Sequence, residues 1–223
     1  MSEKVIVGAL ETNCWIVPVG GEPADASSAA VIDPGADAEL IIACLERLKL
    51  YPKYILLTHG HFDHIAALPA LYKRYSGGGR TPLIAIGKDD LMYVGPDSLA
   101  AHRASFTAAA GDSDYVDQLW EPMPDAGRVL KDGDTIGMFT VLCLPGHTKG
   151  SIAFFDEKGG RLYAGDTLFR YGSGRTDLPG GDAGEMRASL DRLFKMDGDI
   201  DVYPGHGQAT TIGREALFFR KGV

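Results

Sequence analysis

The sequence predicts an α/β fold in a single domain spanning residues 1–223. Three observations carry this expectation. Short apolar runs alternate with stretches of helical period along most of the chain. Hydrophobic residues make up 45% of 223, enough to fill a sizeable core without disulfide support. No fixed-period repeat, low-complexity tract or linker divides the chain.

Taken in order, Cys14-Trp15-Ile16-Val17 reads as a strand closed by a turn at Gly20-Gly21. Ala29-Ala30-Val31-Ile32 is a second strand, stopped by Asp33-Pro34-Gly35. Over residues 38–50, Ile41, Cys44, Leu45 and Leu48 recur at helical spacing, and Pro52 follows as a stop signal. Tyr54-Ile55-Leu56-Leu57 is a strand. Pro69 suits the first turn of a helix through Tyr75, where its missing N–H costs nothing, and Gly77-Gly78-Gly79 ends it. Leu83-Ile84-Ala85-Ile86 is the next strand. Residues 88–114 read as helix and loop, with Leu91, Met92, Leu99 and Phe106 as core contacts. Four strands follow, over 139–144, 152–155, 161–164 and 200–203.

Composition narrows the function classes. Acidic residues outnumber basic ones, giving a net charge of −8, which argues against nonspecific nucleic-acid binding. Cys14, Cys44 and Cys143 form no CxxC pair, and each lies in an apolar run, so buried reduced thiols are expected. The start Met-Ser-Glu-Lys lacks a signal pattern, and no run approaches the roughly 18 apolar residues of a membrane span. The expectation is a cytoplasmic protein acting on a small molecule, without membrane or nucleic-acid partners. The oligomeric state is not legible.

The chemistry concentrates in His59-Gly60-His61-Phe62-Asp63-His64, which offers three imidazoles and a carboxylate in six residues. Two further histidines, His147 and His206, sit in Pro-Gly-His turns, and Asp166 lies in Ala164-Gly165-Asp166-Thr167. Every one of these segments follows an apolar strand, so strands sharing a sheet edge would bring the donors to one rim. His59, His61 and His147 can form one metal site. Asp63, His64 and His206 can form a second, with Asp166 bridging the two. Asp63 and Asp166 are thereby the catalytic carboxylates. Two divalent cations are expected, zinc first, with iron or manganese accepted by the same donors. Such cations lower the pKa of bound water from about 15.7 to roughly 7. Gly60, Gly146 and Gly205 keep the backbone slim beside ligands. Thr58, Thr148, Thr167 and Asp33 are candidates to orient ligand rings, or else are turn and cap residues. His102 reads as a surface or packing histidine.

These residues resemble the metallo-β-lactamase superfamily. The matching pieces are Asp33-Pro34-Gly35, residues 58–64, Gly146-His147-Thr148, Gly165-Asp166-Thr167 and Gly205-His206-Gly207, in the family's order. The resemblance implies an αββα sandwich with the metal site at one edge of two packed sheets, an architecture that the alternation alone does not select. The runs Gly165-Asp166-Thr167-Leu168-Phe169 and Gly174-Arg175-Thr176-Asp177-Leu178-Pro179-Gly180-Gly181 are most similar to short glyoxalase II-like enzymes. That branch hydrolyses thioesters such as S-lactoylglutathione. Full-length glyoxalase II enzymes carry a C-terminal helical domain that grips glutathione, and that domain is expected to be missing here. The resemblance places Arg175 at a glutathione contact, with pinning of its own loop as the structural alternative, and makes Tyr171 a weaker substrate contact. A mononuclear iron persulfide dioxygenase, using His59, His147 and Asp166, is the leading rival. Hydrolysis of another ester, lactone or phosphoester is a further one. A nuclease is disfavoured by the acidic balance. A β-lactamase is disfavoured by Asp166, which stands where many such enzymes have cysteine, and by the lack of an export signal.

Overall fold

The computed structural model describes residues 2–20, 27–77 and 79–221. Gly21 of the predicted first turn and Gly78 of the predicted helix stop lie outside the described residues. The first sheet takes its strands in chain order: β1 (Glu3–Val7), β2 (Thr12–Pro18), β3 (Ser28–Ile32), β4 (Tyr51–Leu56), β5 (Leu83–Gly87) and β6 (Arg128–Leu130). Its first three strands pair antiparallel and the rest parallel. The second sheet is built from β7 (Thr135–Ile136), β8 (Phe139–Cys143), β9 (Ile152–Asp156) and β10 (Arg161–Gly165). A hairpin of β11 (Leu168–Phe169) and β12 (Gly172–Ser173) stands apart from it. Then β13 (Asp201–Pro204) and β14 (Thr210–Thr211) complete the order 14-13-10-9-8-7. The helices are α1 (Ala38–Leu48), α2 (Phe62–Ile65), α3 (Leu68–Tyr75), α4 (Leu99–Ala110), α5 (Asp114–Leu119), α6 (Ala183–Leu193) and α7 (Ile212–Arg220).

The pleat explains the layering, because successive side chains of a strand face opposite sides of the sheet. Cys14 and Ile16 of β2 pack with Ile41 and Leu45 of α1 and Leu68 and Leu71 of α3. Their neighbours Trp15 and Val17 point the other way. They join Ile32, Leu56, Phe139, Val141, Phe154 and Tyr163 in a core between the sheets. Leu142 and Leu162, on the far face of the second sheet, pack with Met186, Leu190 and Leu193 of α6 and Ile212 of α7. The result is helix, sheet, sheet, helix: the αββα sandwich.

Strand direction then sets where loops meet. The parallel strands β3, β4 and β5 end on one edge of the first sheet. In the second sheet, β8 and β10 are each antiparallel to β9, and β13 is parallel to β10, so these three also end together. Backbone bonds join the two edges: Ile152 N donates to Thr58 O at 2.8 Å, and Asn13 N to Gly205 O at 2.7 Å.

Several expectations are corrected. The first helix stops at Leu48 because Lys49 adopts a left-handed conformation, φ 55°. Pro52 lies inside β4, at a register shift where a lost ladder donor is tolerated. Leu91 and Met92 are exposed, not core. They lie in a 3-10 helix, Lys88–Tyr93, whose threefold period turns Asp90 and Tyr93 inward instead. Leu99 and Phe106 do pack against the first core. All three cysteines are free; Cys14 and Cys44 are buried, but Cys143 is only half-buried.

Phe154 is fully buried and meets Phe139 edge-on between the sheets. Phe154→Ala is expected to cost about 3–5 kcal/mol, the usual range for a large cavity in a close-packed core. Urea unfolding checks this, and a loss under about 1 kcal/mol would contradict a central inter-sheet core.

Candidate metal centre

Four loops deliver the donors. The segment after β4 carries His59 in a bend and His61 in extended backbone, and then the single turn α2 holds Asp63 and His64. His147 follows β8, Asp166 follows β10 and His206 follows β13. All seven predicted ligands come together at the shared rim. Ligand atoms of His59, His61 and His147 lie within 4.8 Å of one another, as do those of Asp63, His64 and His206. His61 Nδ1 is 2.9 Å from His147 Nε2, and His64 Nε2 is 3.2 Å from His206 Nε2. Asp166 reaches both sets: its Oδ1 is 3.4 Å from His64 Nε2, and its Oδ2 is 3.6 Å from His147 Nε2 and from His206 Nε2.

Two glycines make this crowding possible. A Cβ on Gly205 would fall 2.2 Å from Asp166 Oδ1 and 2.6 Å from a His64 carbon, so any side chain there would fill the centre. A Cβ on Gly60 would lie 2.1 Å from the Tyr93 ring.

The imidazoles are oriented from behind. His64 Nδ1 faces Asp33 Oδ2 at 3.0 Å, His147 Nδ1 faces the Arg175 carbonyl at 2.8 Å, and His206 Nδ1 faces the Leu10 carbonyl at 3.0 Å. His59 Nδ1 sits 3.1 Å from Thr58 Oγ1, which donates in turn to Asp33. In each of these four rings Nε2 is left for the centre. His59 Nε2 and Asp166 Oδ1 are buried without a hydrogen-bond partner, and His61 turns Nδ1 toward His147 Nε2. Buried polar atoms are normally paired, so this donor set fits cations. Asp33 also lies near His59 and His64, but its oxygens already accept from Thr58 N, Thr58 Oγ1 and His64. That makes it an orienting group rather than a ligand.

The electrostatics agree. Burial, then neighbouring imidazoles, depress His59 well below the usual histidine range and His61 to about 3. Burial opposes ionisation of Asp63 and Asp166, yet the adjoining histidines, His64 foremost, hold both below the usual carboxylate range. His64 is raised, since Asp166 and Asp63 outweigh its burial. The carboxylates thus favour a positive charge at His64, while His59 and His61 stay neutral, the form that ligates a metal.

One supporting residue was missed from sequence. Asp90 is buried in the turn after β5 and accepts from Gly60 N at 2.9 Å, Thr148 Oγ1 at 2.7 Å and Gly150 N at 2.8 Å. It ties the His59–His61 loop to the His147 loop. Burial raises its pKa despite these bonds. The signal available was its place just past an apolar strand, the rule that marks the ligands. Thr58 and Asp33 fill the orienting role expected of them. Thr148 bonds Asp90 and Ser151 rather than a ligand, and Thr167 Oγ1 makes no hydrogen bond.

Beside the donors lies a cavity of about 250 Å³, walled by Phe62, His102, Phe106, Arg175 and Leu178. His102 is a packing histidine: Nε2 meets the Tyr93 carbonyl at 2.9 Å, the ring lies on Phe62, and burial lowers its pKa to about 4. Arg175 forks onto Asp177 at 2.7 and 2.8 Å while lining the cavity, so loop pinning and substrate contact are both open to it. Tyr171, with φ 66°, packs on Phe218 and is not among the cavity-lining residues.

A sandwich of this topology with histidine and aspartate donors at its rim defines a metallo-hydrolase architecture. The chain belongs to the metallo-β-lactamase superfamily, whose family model matches residues 7–206. It is similar to hydroxyacylglutathione hydrolase GloC of Haemophilus influenzae, at 35% identity over 96% of this chain and 93% of that one. Among solved structures it is similar to TTHA1623 in a di-iron-bound form, with 34% identity, TM-score 0.79 and 96% of each chain covered. It is also similar to BLEG-1 B3 metallo-β-lactamase, with 31% identity, TM-score 0.78 and the same coverage.

Asp90→Ala removes no ligand but unties two ligand loops. Metal affinity, read by competition with a chromogenic chelator, is expected to fall about 10–100-fold. Unchanged affinity would show that the loops hold their places without it.

Proposed function

We propose that the protein is a metal-dependent thioester hydrolase acting on substrates of the S-lactoylglutathione type. The observation that carries this reading is the Asp166 carboxylate, placed between two donor sets and beside a cavity that Arg175 lines. The similarity to a hydroxyacylglutathione hydrolase supports it, and membership of a metallo-hydrolase superfamily supports an enzyme. His59, His61 and His147 would hold one divalent cation, and Asp63, His64 and His206 a second, with Asp166 shared. Zinc is our first choice, and the di-iron relative makes iron a serious alternative.

In the reaction, water adds to the thioester carbonyl carbon, the C–S bond breaks, and a carboxylic acid and a thiol leave. Bound cations supply Lewis acidity that lowers the pKa of water toward about 7 and polarises the carbonyl. The chain's own groups position and shield the reactants. Phe62 and Phe106 wall the cavity against water. Asp63 lines the cavity with Oδ2 3.3 Å from both Thr12 Oγ1 and His206 Nε2, and acts with Asp166 as a carboxylate that would hold the cations against the reacting water. A thiolate leaves without help from a strong acid. Arg175 meets a carboxylate of the thiol, in competition with Asp177.

Chelation is expected to abolish turnover of S-lactoylglutathione, and zinc, iron or manganese to restore it. Asp166→Asn should lower kcat roughly a hundredfold, equivalent to about 2.7 kcal/mol in the barrier. Near-normal turnover with full metal occupancy contradicts the shared carboxylate. Sulfite release from glutathione persulfide, in place of thioester cleavage, would replace this reading with the dioxygenase one. Arg175→Ala should raise KM for glutathione thioesters more than it lowers kcat, and an unchanged KM would return Arg175 to loop pinning. The similarity to BLEG-1 favours one second reading, lactam opening, which a chromogenic cephalosporin tests directly.

A further inference from the structure

A second concavity is larger than the one beside the ligands. A groove of about 700 Å³ runs between the segment around Arg175 and helices α6 and α7. Arg175, Arg187, Lys195 and Arg220 line it, against a single acid, Asp191. This is a cationic concentration in a chain of net charge −8. Arg187, Lys195 and Arg220 make no ion pair with any described residue. Arg187, Lys195 and Arg220 outnumber the one acid that lines the groove with them, so they repel one another, and an anionic ligand relieves that repulsion.

Size and position narrow the ligand. The volume lies within the roughly 300–1,000 Å³ of small-molecule sites. Phe194 and Phe219, with ring centroids 5.4 Å apart, supply an apolar flank. Arg175 lines both this groove and the cavity beside Asp166. Gly174 lines the groove too, and a Cβ there would sit 2.0 Å from the Asp166 carbonyl oxygen, so the groove abuts the ligand-bearing loop. One extended molecule can therefore place a carbonyl at the metal centre and an anionic end among the cations of α6 and α7.

We propose that the groove holds the anionic arm of the substrate's thiol carrier, its carboxylates or phosphates, with Arg187, Lys195 and Arg220 as the binding residues. This rests on the thioester reading above. The shared chemistry is an oxyanion on a flexible thiol-bearing chain, and a tripeptide thiol and coenzyme A are its two sources.

The test uses the full metal-loaded chain and isothermal titration with two ligands that cannot be hydrolysed, S-hexylglutathione and coenzyme A. At least one should bind the wild type, more weakly as salt rises. The double variant Arg187→Glu with Lys195→Glu should raise its Kd about tenfold or more, from the loss of two exposed charge contacts and their replacement by repulsion. Arg220→Glu should weaken binding in the same direction. The conservative pair Arg187→Lys with Lys195→Arg should retain most of the affinity, which separates a charge effect from a fold effect. Tighter binding of S-hexylglutathione assigns the groove to carboxylates, and tighter binding of coenzyme A to phosphates. Failure of both ligands to bind the wild type, or an unchanged Kd in the double charge reversal, overturns the proposal. Binding that follows these expectations in a protein that cleaves no thioester sustains the groove and removes the thioesterase reading instead.

Discussion

Withdrawing imidazoles and carboxylates from water is costly unless each lost hydration contact is replaced. At the rim of this sandwich seven such groups are withdrawn together, and much of the local structure answers that constraint. Four rings have one nitrogen fixed by Thr58, Asp33, or the carbonyls of Arg175 and Leu10. The opposite nitrogen of each is left toward the centre, where only a cation can satisfy so many lone pairs at once. Asp33 and Asp90 carry a second burden. Each is a buried carboxylate that spends its oxygens on backbone N–H groups and hydroxyls of the ligand loops. The centre is thus held by anions that do not enter it. Because binding would relieve the crowding, cation binding and folding stability are coupled, as linkage requires of any ligand that favours the native state.

The sandwich supplies what the loops cannot. Strands β3, β4 and β5, and separately β8, β10 and β13, end on common edges only because their directions agree. The inter-sheet core of Trp15, Phe139, Phe154 and Tyr163 fixes the distance between those edges. Backbone bonds from Ile152 to Thr58 and from Asn13 to Gly205 then lock the edges to each other beside the ligands. Residues that bind no metal thereby set the donor geometry, through packing rather than contact.

Much of this was legible in the chain, and the reasons are particular. The ligands could be read because metal chemistry demands a few residue types, and six residues from His59 to His64 hold four of them. The longer strands could be read because burial on both faces leaves apolar runs such as residues 29–32. Strands of two or three residues, such as β6, β7 and β14, carry no measurable period and were invisible. Helix α6 keeps helical spacing at Met186, Leu190 and Leu193, a period legible in the chain. Asp90 was hidden for a different cause. In a 3-10 turn the inward positions recur every third residue, so the flanking Leu91 and Met92 looked like core while the carboxylate looked exposed. Arg175 shows a further limit: sequence places it near the site, but the fork onto Asp177 depends on the turn between them.

The division between what holds metal and what touches substrate also runs through the fold. The donors sit on short connections that leave strand ends, and Asp33 and Asp90 brace those of His59–His64 and His147. Much of the cavity wall comes instead from α4, with Phe62, Arg175 and Leu178, and the groove from α6, α7 and the segment around Arg175. Those elements pack through apolar faces and place exposed side chains such as Arg187 and Lys195 at the opening, where substitution costs little stability. Change at the ligand loops is different, since a Cβ at Gly205 or Gly60 collides with the centre or with Tyr93. On the proposed thioesterase reading, the choice of acyl group and thiol falls to α4 and to the cations of α6 and α7 rather than to the His-Asp motif that identifies the family.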